Sequence, residues 1–246
     1  METLPLISYL PIFIMAFMYS SVGHGGASGY LAVLAMLGVS QIVMKPSALL
    51  LNIFVSGISF FQYYRSNHFN FRLFWPFAIT SVPAAFLGAL IPLQDSYYKK
   101  ILGICLILSV LRLTLFGWKN EASTENNELK LWVGLITGAL IGLVSGMIGI
   151  GGGIILSPII LLLHWGKMKE TASVSALFIF VNSISGLIAV LASGTHIPDS
   201  VYPYLGFAII GGVAGSYFGS KKFEFKILKY LLAIVLTIAA LKLLLT

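Results

Sequence analysis

Charge is what this 246-residue sequence has least of. Asp, Glu, Lys and Arg together make up 9% of it, while 58% is hydrophobic and the mean hydropathy is +0.96. A typical soluble domain is about 25% charged, because its surface must stay hydrated. Fifteen basic and eight acidic side chains are too few for that, so a soluble globule, a disordered chain, a collagen-like repeat and a coiled coil are all excluded. Cysteine is nearly absent as well. Cys105 stands alone inside an apolar run, so it forms no internal disulfide and has no second thiol for a metal site; it reads as a small buried hydrophobe. No metal and no cofactor is expected. The start of the chain, with Glu2, lacks the basic region of a cleaved leader, so the first apolar run is expected to be retained.

Acidic residues are also missing from the apolar runs. Glu2, Asp95, Glu121, Glu125, Glu128, Glu170, Asp199 and Glu224 all fall in expected loops or at segment ends. Cation-coupled carriers and proton relays usually keep a carboxylate at membrane depth. Its absence turns the expectation toward an anionic cargo. The net charge of +7 would suggest nucleic acid in a soluble protein. Here the positives lie between apolar runs, so they read as loop charges that set membrane orientation, and no nucleic acid is expected.

What the sequence does have is a series of apolar runs, at about residues 4–20, 28–44, 46–64, 73–93 and 101–118, then 131–148, 154–165, 171–192, 201–219 and 227–245. Most approach the roughly 20 residues that a helix needs to cross the hydrocarbon. The run 154–165 is too short. It follows Gly149, Gly151, Gly152 and Gly153, so residues 131–165 read as a broken helix or a re-entrant pair.

The two sets of five resemble each other. Gly23-His24-Gly25-Gly26 returns 126 residues on as Gly149-Ile150-Gly151-Gly152, and Lys100-Ile101-Leu102 at the same displacement as Lys226-Ile227-Leu228. Trp75-Pro76 returns after 127 as Tyr202-Pro203; Ser47-Ala48-Leu49 returns after 128 as Ser175-Ala176-Leu177, and His68 as His196. The chain is therefore read as an all-α polytopic membrane protein of two homologous halves, 1–118 and 131–246, joined by a cytoplasmic linker, 119–130. With five apolar segments each, including a glycine-broken or re-entrant pair, the halves form an inverted repeat. Counting each broken pair as a hairpin gives about eight spans rather than ten and leaves this parity unchanged. Arg65, Arg72, Arg112, Lys119, Lys130, Lys167, Lys169, Lys221, Lys222, Lys226 and Lys229 fall to one side, and Lys45, Lys99, Lys100 and Lys242 to the other. That bias places the first group in the cytoplasm and both termini outside.

The candidate site is the pair of glycine motifs. Glycines let backbone N–H groups approach a ligand, and a helix that restarts after them aims its positive end at the midplane. Gly23, Gly25 and Gly26 would supply one such end, and Gly149, Gly151, Gly152 and Gly153 the other. The same glycines also serve tight helix packing, and both readings stand at this point. Neutral polar residues surround them: Ser21, Ser28, Ser47, Asn52, Ser56, Ser145, Ser173, Ser175, Asn182 and Ser185. Asn52 and Asn182 carry most weight, because a buried amide requires a partner or a cavity. His24 has Ile150 as its counterpart and is either a proton or ligand contact or a hydrogen-bonded spacer. His68, His164 and His196 read as interfacial. Lys45, just before Pro46 at the mouth of the third run, reads either as a snorkelling lysine or as an anion attractor.

These features carry a family resemblance. The glycine motif in each half, the Ser-Ala-Leu helix after it, the internal duplication and the apolarity are similar to the sulfite exporter TauE/SafE family, also called the TSUP transporters. The resemblance extends from about Tyr19 to Leu245 and is fullest at Gly149-Ile150-Gly151-Gly152-Gly153 with Pro158; His24 and Ala27 mark the less regular first-half motif. It implies transport of sulfite or an organosulfonate across the cytoplasmic membrane of a prokaryote, by alternating access in which one repeat moves against the other. The expected partners are a small anionic substrate and the lipid bilayer; whether two copies form a homodimer stays open. An anion channel is the main alternative. A weaker one is an intramembrane serine protease, since Gly26-Ala27-Ser28-Gly29 fits a four-residue nucleophile pattern that the second half lacks. A docking scaffold would need a large polar loop, and the longest polar stretch is the 119–130 linker.

Overall fold

Glycine and proline punctuate the chain into ten helices, seen in a computed structural model that describes residues 9–115, 127–221 and 226–245. They are α1 (Tyr9–Ser20), α2 (Ala27–Met36), α3 (Gln41–Arg65), α4 (Phe71–Leu90), α5 (Asp95–Leu115), α6 (Leu131–Ile148), α7 (Gly153–Leu162), α8 (Met168–Ala192), α9 (Tyr202–Lys221) and α10 (Lys226–Leu245). No strand occurs among the described residues. Among the described residues, five stretches are long and apolar enough to cross a membrane: α3, α4, α6, α8 and Asp199–Ser220, which is α9 with the short turn before it. Their outward faces carry Ile79, Leu87, Leu140, Ile188 and Ile210, all exposed. Such a belt is stable against lipid and not against water. The linker lies mostly outside the described residues, as do the side chains of Arg112, Lys119, Lys221, Lys222, Lys226 and Lys229.

One boundary differs from the sequence reading. The run 28–44 is two elements, not one: α2 ends at Met36, and Gly38 turns the chain with φ +75°. The amides of Gly38 and Val39 close onto the carbonyls of Ala35 and Leu34. That is the usual left-handed glycine stop of a helix. Residues 41–44 then begin α3, so Pro46 lies inside that helix rather than at its mouth. In consequence α2 is as short as α7, at 10 residues each. Helix starts elsewhere are set by side chains. Asn70 accepts from the Leu73 amide at 3.2 Å to cap α4, and Glu170 accepts from the Lys167 amide at 3.2 Å in the first turn of α8.

The tightest packing joins helices of the first half of the sequence to helices of the second: α4 with α6, α1 with α9, α3 with α8 and α5 with α10. In two of these pairs glycines form the seam. Along α6, Gly138, Gly142 and Gly146 lie against the backbone carbonyls of Phe77, Ser81 and Ala85 in α4. Along α9, Gly211, Gly215 and Gly219 lie against those of Phe13, Phe17 and Ser21, at and just past the end of α1. A side chain at any of these positions would collide with backbone. Close approach of this kind is how helices associate where solvent supplies no hydrophobic drive between them.

The two ends of the bundle are fixed by polar contacts. At one, Asn70 hydrogen-bonds Glu170, Asn127 N–H donates to the His164 carbonyl at 2.8 Å, and Lys169 reaches the Ser220 carbonyl at 3.4 Å. At the other, Gln41 reaches the Leu93 carbonyl at 3.0 Å and Lys242 the Met36 carbonyl at 2.9 Å. Arg65, Arg72, Lys130, Lys167 and Lys169 thus share the first end, and Lys45, Lys99 and Lys242 the second. His68, His164 and His196 all sit in connections between helices, partly or fully exposed.

The glycine seam generates a stability prediction. Gly142→Ala places a methyl group on the Ser81 carbonyl and should cost about 1–3 kcal/mol by overpacking, lowering the melting temperature in detergent. Gly206→Ala in α9 meets open space and should leave it unchanged.

Candidate functional site at the junction of two broken helices

The backbone leaves helical form at 21–26 and again at 149–152, with left-handed glycines at Gly23, Gly26, Gly149, Gly151 and Gly152. Inside a membrane, polar groups freed by such breaks must find partners within the protein. Here they find side chains. Tyr63 Oη donates to the Ser21 carbonyl at 2.8 Å, Tyr30 Oη to the Gly25 carbonyl at 2.8 Å, and Tyr98 Oη to the Ile148 carbonyl at 3.1 Å.

Asn52, in the middle of α3, joins both breaks. Its Oδ1 accepts from the Ala27 amide at 2.9 Å, at the first residue of α2. Its Nδ2 faces the Ile150 carbonyl at 3.4 Å and Ser183 Oγ at 3.3 Å. Gly25 and Gly151 are both pressed against this carboxamide and against Ile179 of α8, so a side chain at either would displace it. The amino-terminal ends of α2 and α7 are therefore brought to one place, with Asn52 between them.

His24 adds a second link between the motifs. Its Nδ1 donates to the Val22 carbonyl at 2.9 Å, while Nε2 lies 2.9 Å from Ser157 Oγ and 3.2 Å from the Gly153 carbonyl. Ser157 in turn lies 2.6 Å from Ser175 Oγ. A neutral imidazole accepts from Ser157 at Nε2, and an imidazolium donates to the Gly153 carbonyl instead. His24, Asn52, Ser157 and Ser175 are all 0% exposed, so the junction is sealed from both faces in this conformation. The buried polar side chains among the described residues are hydroxyls of Ser, Thr and Tyr, the amides of Asn52 and Asn182, and the imidazole of His24; none is a carboxylate.

Of the residues singled out in the sequence, Gly25, His24, Asn52, Gly151, Gly153 and Ser175 meet at this junction. Gly149 and Gly152 flank it, the first against Lys45 and the second against Ile141 and Phe178. Gly23 packs on Ala172, and Gly26 on Tyr30. Ser28 donates to Tyr19 Oη at 2.6 Å, and Ser47 to the Val43 carbonyl of its own helix at 2.6 Å. Asn182 faces α4: Ser81 Oγ donates to its Oδ1 at 3.0 Å, and its Nδ2 is buried without a partner. Three residues at the junction were not singled out. Ser183 follows Asn182 by one position and so lies on another face of α8. Ser157 stands just before Pro158, inside the short run that the sequence had already marked. Ile179 carries no polar signal at all.

With the geometry in place, comparison with known proteins identifies the lineage. The model of the sulfite exporter TauE/SafE family matches residues 9–243. This chain belongs to the TauE/SafE family. A chain from Sinorhizobium fredii, named a probable membrane transporter protein, is 35% identical over 246 residues, covering 99% of this chain and all of the relative. A second probable membrane transporter protein, from Methanocaldococcus jannaschii, is 28% identical over 144 residues, 57% of this chain and 53% of the relative. No solved structure matches. The protein is a membrane transporter of the TauE/SafE family.

Asn52 is the most consequential polar residue of the junction. Asn52→Ala leaves the Ala27 amide and the Ile150 carbonyl without their partner and should cost about 1–3 kcal/mol. Ser47→Ala removes a bond within a single helix without stranding a helical amide or carbonyl, and should cost less than about 1 kcal/mol. Thermal unfolding of both variants in the same detergent checks the difference.

Proposed function

We propose that this TauE/SafE protein exports a small sulfur-containing oxyanion, sulfite or an organosulfonate, by alternating access around the junction of α2 and α7. The observation that carries the reading is the junction itself. Two short helices aim their amino-terminal ends at one buried place lined by an amide, hydroxyls and an imidazole. Discontinuous helices of this kind favour anionic groups through their free N–H donors and their dipoles. A site without a carboxylate suits an anion and not a metal cation.

The helix pairing supports an inverted repeat. Exchanging the first five helices for the last five turns the contact of α1 with α9 into that of α6 with α4. It likewise turns α3 with α9 into α8 with α4, and α2 with α10 into α7 with α5; all of these contacts occur. Ten residues of helix rise about 15 Å, half of the roughly 30 Å of hydrocarbon. This supports reading α2 and α7 as the short returning limbs of the glycine-broken pairs α1–α2 and α6–α7. The end bearing Arg65, Arg72, Lys130, Lys167 and Lys169 faces the cytoplasm, which puts both termini outside.

Export needs no coupling ion, because a negative interior drives a monovalent anion outward by about 2.3 kcal/mol per 100 mV. The closed junction favours a carrier over an open channel. In a carrier, sulfite efflux from loaded proteoliposomes saturates and is accelerated by sulfite on the far side; linear flux without exchange would instead establish the channel. Gly152→Leu, which drives a side chain into Ile141 and Phe178, and His24→Ala should each cut efflux about tenfold or more, as loss of a charge-assisted contact does. Wild-type efflux in both, with the proteins folded by size-exclusion chromatography, would remove the junction from the transport path.

A further inference from the structure

Lys45 is the residue that the junction leaves unexplained. It sits in the second turn of α3, seven residues and therefore two helical turns from Asn52 on the same face. Its side chain does not snorkel outward to bulk solvent. It turns across to α4, where Nζ donates to the Ala89 carbonyl at 3.0 Å, one of the carbonyls that a helix end leaves free. A lysine ammonium has three N–H donors, and Ala89 takes one.

Beside it is a cavity of about 300 Å³ at the Lys99 and Lys242 end of the bundle, lined by Gln41, Lys45, Ala89, Tyr98, Met147 and Thr195 among others. Its lining carries no Asp, Glu, Arg or His and no second lysine. Asp95, the nearby acid, is paired with Lys99 at 2.7 Å. No carboxylate lies within 4 Å of Lys45 Nζ among the described residues. A half-buried cation without a counter-charge is costly unless an anion completes it.

The cavity is continuous in chain terms with the junction. Gly149 packs on Lys45 Cγ and on Leu49, and two residues later Gly151 packs on Asn52. The segment 149–151 thus runs along α3 from Lys45 to Asn52, with the buried Leu49 between them. We infer that the Lys45 cavity is a second anion site, a waiting position for a small oxyanion on the outer face, separated from the central junction by Leu49. Lys45 holds the ligand through the donors that Ala89 leaves free. This deepens the export reading and rests on it for direction; occupancy of the site by an anion does not.

Two measurements test it. In exchange assays on oriented proteoliposomes, Lys45→Met should raise the half-saturating sulfite concentration on the outer face about tenfold relative to the inner-face value, as one lost charge-assisted hydrogen bond predicts. Lys45→Arg should restore it. For Lys45→Cys, a thiol reagent carrying an ammonium group should recover the outer-face value, and one carrying a sulfonate should not. Equal shifts on both faces, or equal recovery with either reagent, would overturn the proposal and leave Lys45 as a cap of α4. Separately, sulfite should slow acylation of Lys45 by a charged amine reagent relative to Lys99 and Lys242 in the wild-type protein, read by peptide mass spectrometry. Protection without any sulfite flux would sustain the site and refute the export reading. Normal flux with Lys45 unprotected would do the reverse.

Discussion

Backbone that leaves the helix within a bilayer has no water to bond to, and this constraint governs the TauE/SafE chain described here. Two interruptions, at 21–26 and 149–152, free a series of N–H and carbonyl groups. The molecule satisfies them with side chains drawn from distant helices: Tyr63 and Asn52 from α3, Tyr98 from α5, and His24 across to Ser157 and Gly153. Each such bond is modest in net terms, but an orphaned group in hydrocarbon costs several kcal/mol. The breaks and the polar residues around them therefore stand or fall together. Asn52 is central because one carboxamide offers both an acceptor and donors, and so can bridge an amide of one motif and a carbonyl of the other.

The two halves contribute unequally to the junction. The first brings the imidazole of His24 and the carboxamide of Asn52. The second brings mainly backbone carbonyls, with hydroxyls from Ser157, Ser175 and Ser183. Beside Asn52, against the same two glycines, the second half places Ile179, so where one half has an amide the other has an aliphatic wall. The asymmetry confines the polar surface to one flank. A ligand there would be oriented by the first half and enclosed by the second.

Much of this was readable in the sequence. The apolar runs gave ten segments that correspond to ten helices, because hydropathy over a span-length window reflects the bilayer as solvent. The glycine motifs were recognisable from their recurrence and from the short run after Gly153. The break at Gly38 escaped because apolar residues continue on both sides, and only the left-handed turn at that glycine divides them. Composition marks Asn52 and Asn182 alike as buried amides, but helical phase aims Asn182 at Ser81 of α4. Which helices touch was not legible at all. The seams along α6 and α9 depend on glycines spaced four apart, and that spacing says a helix can be approached closely without naming the neighbour.

Those seams have a further consequence. Each locks a helix of one half onto a helix of the other, α6 onto α4 and α1 onto α9, with backbone touching backbone. The halves of the sequence are therefore interleaved in space, like the fingers of two clasped hands. No rigid body that moves as a unit can be cut out between residues 118 and 131. Under the alternating-access reading proposed above, each moving body would have to be a mixture of both halves.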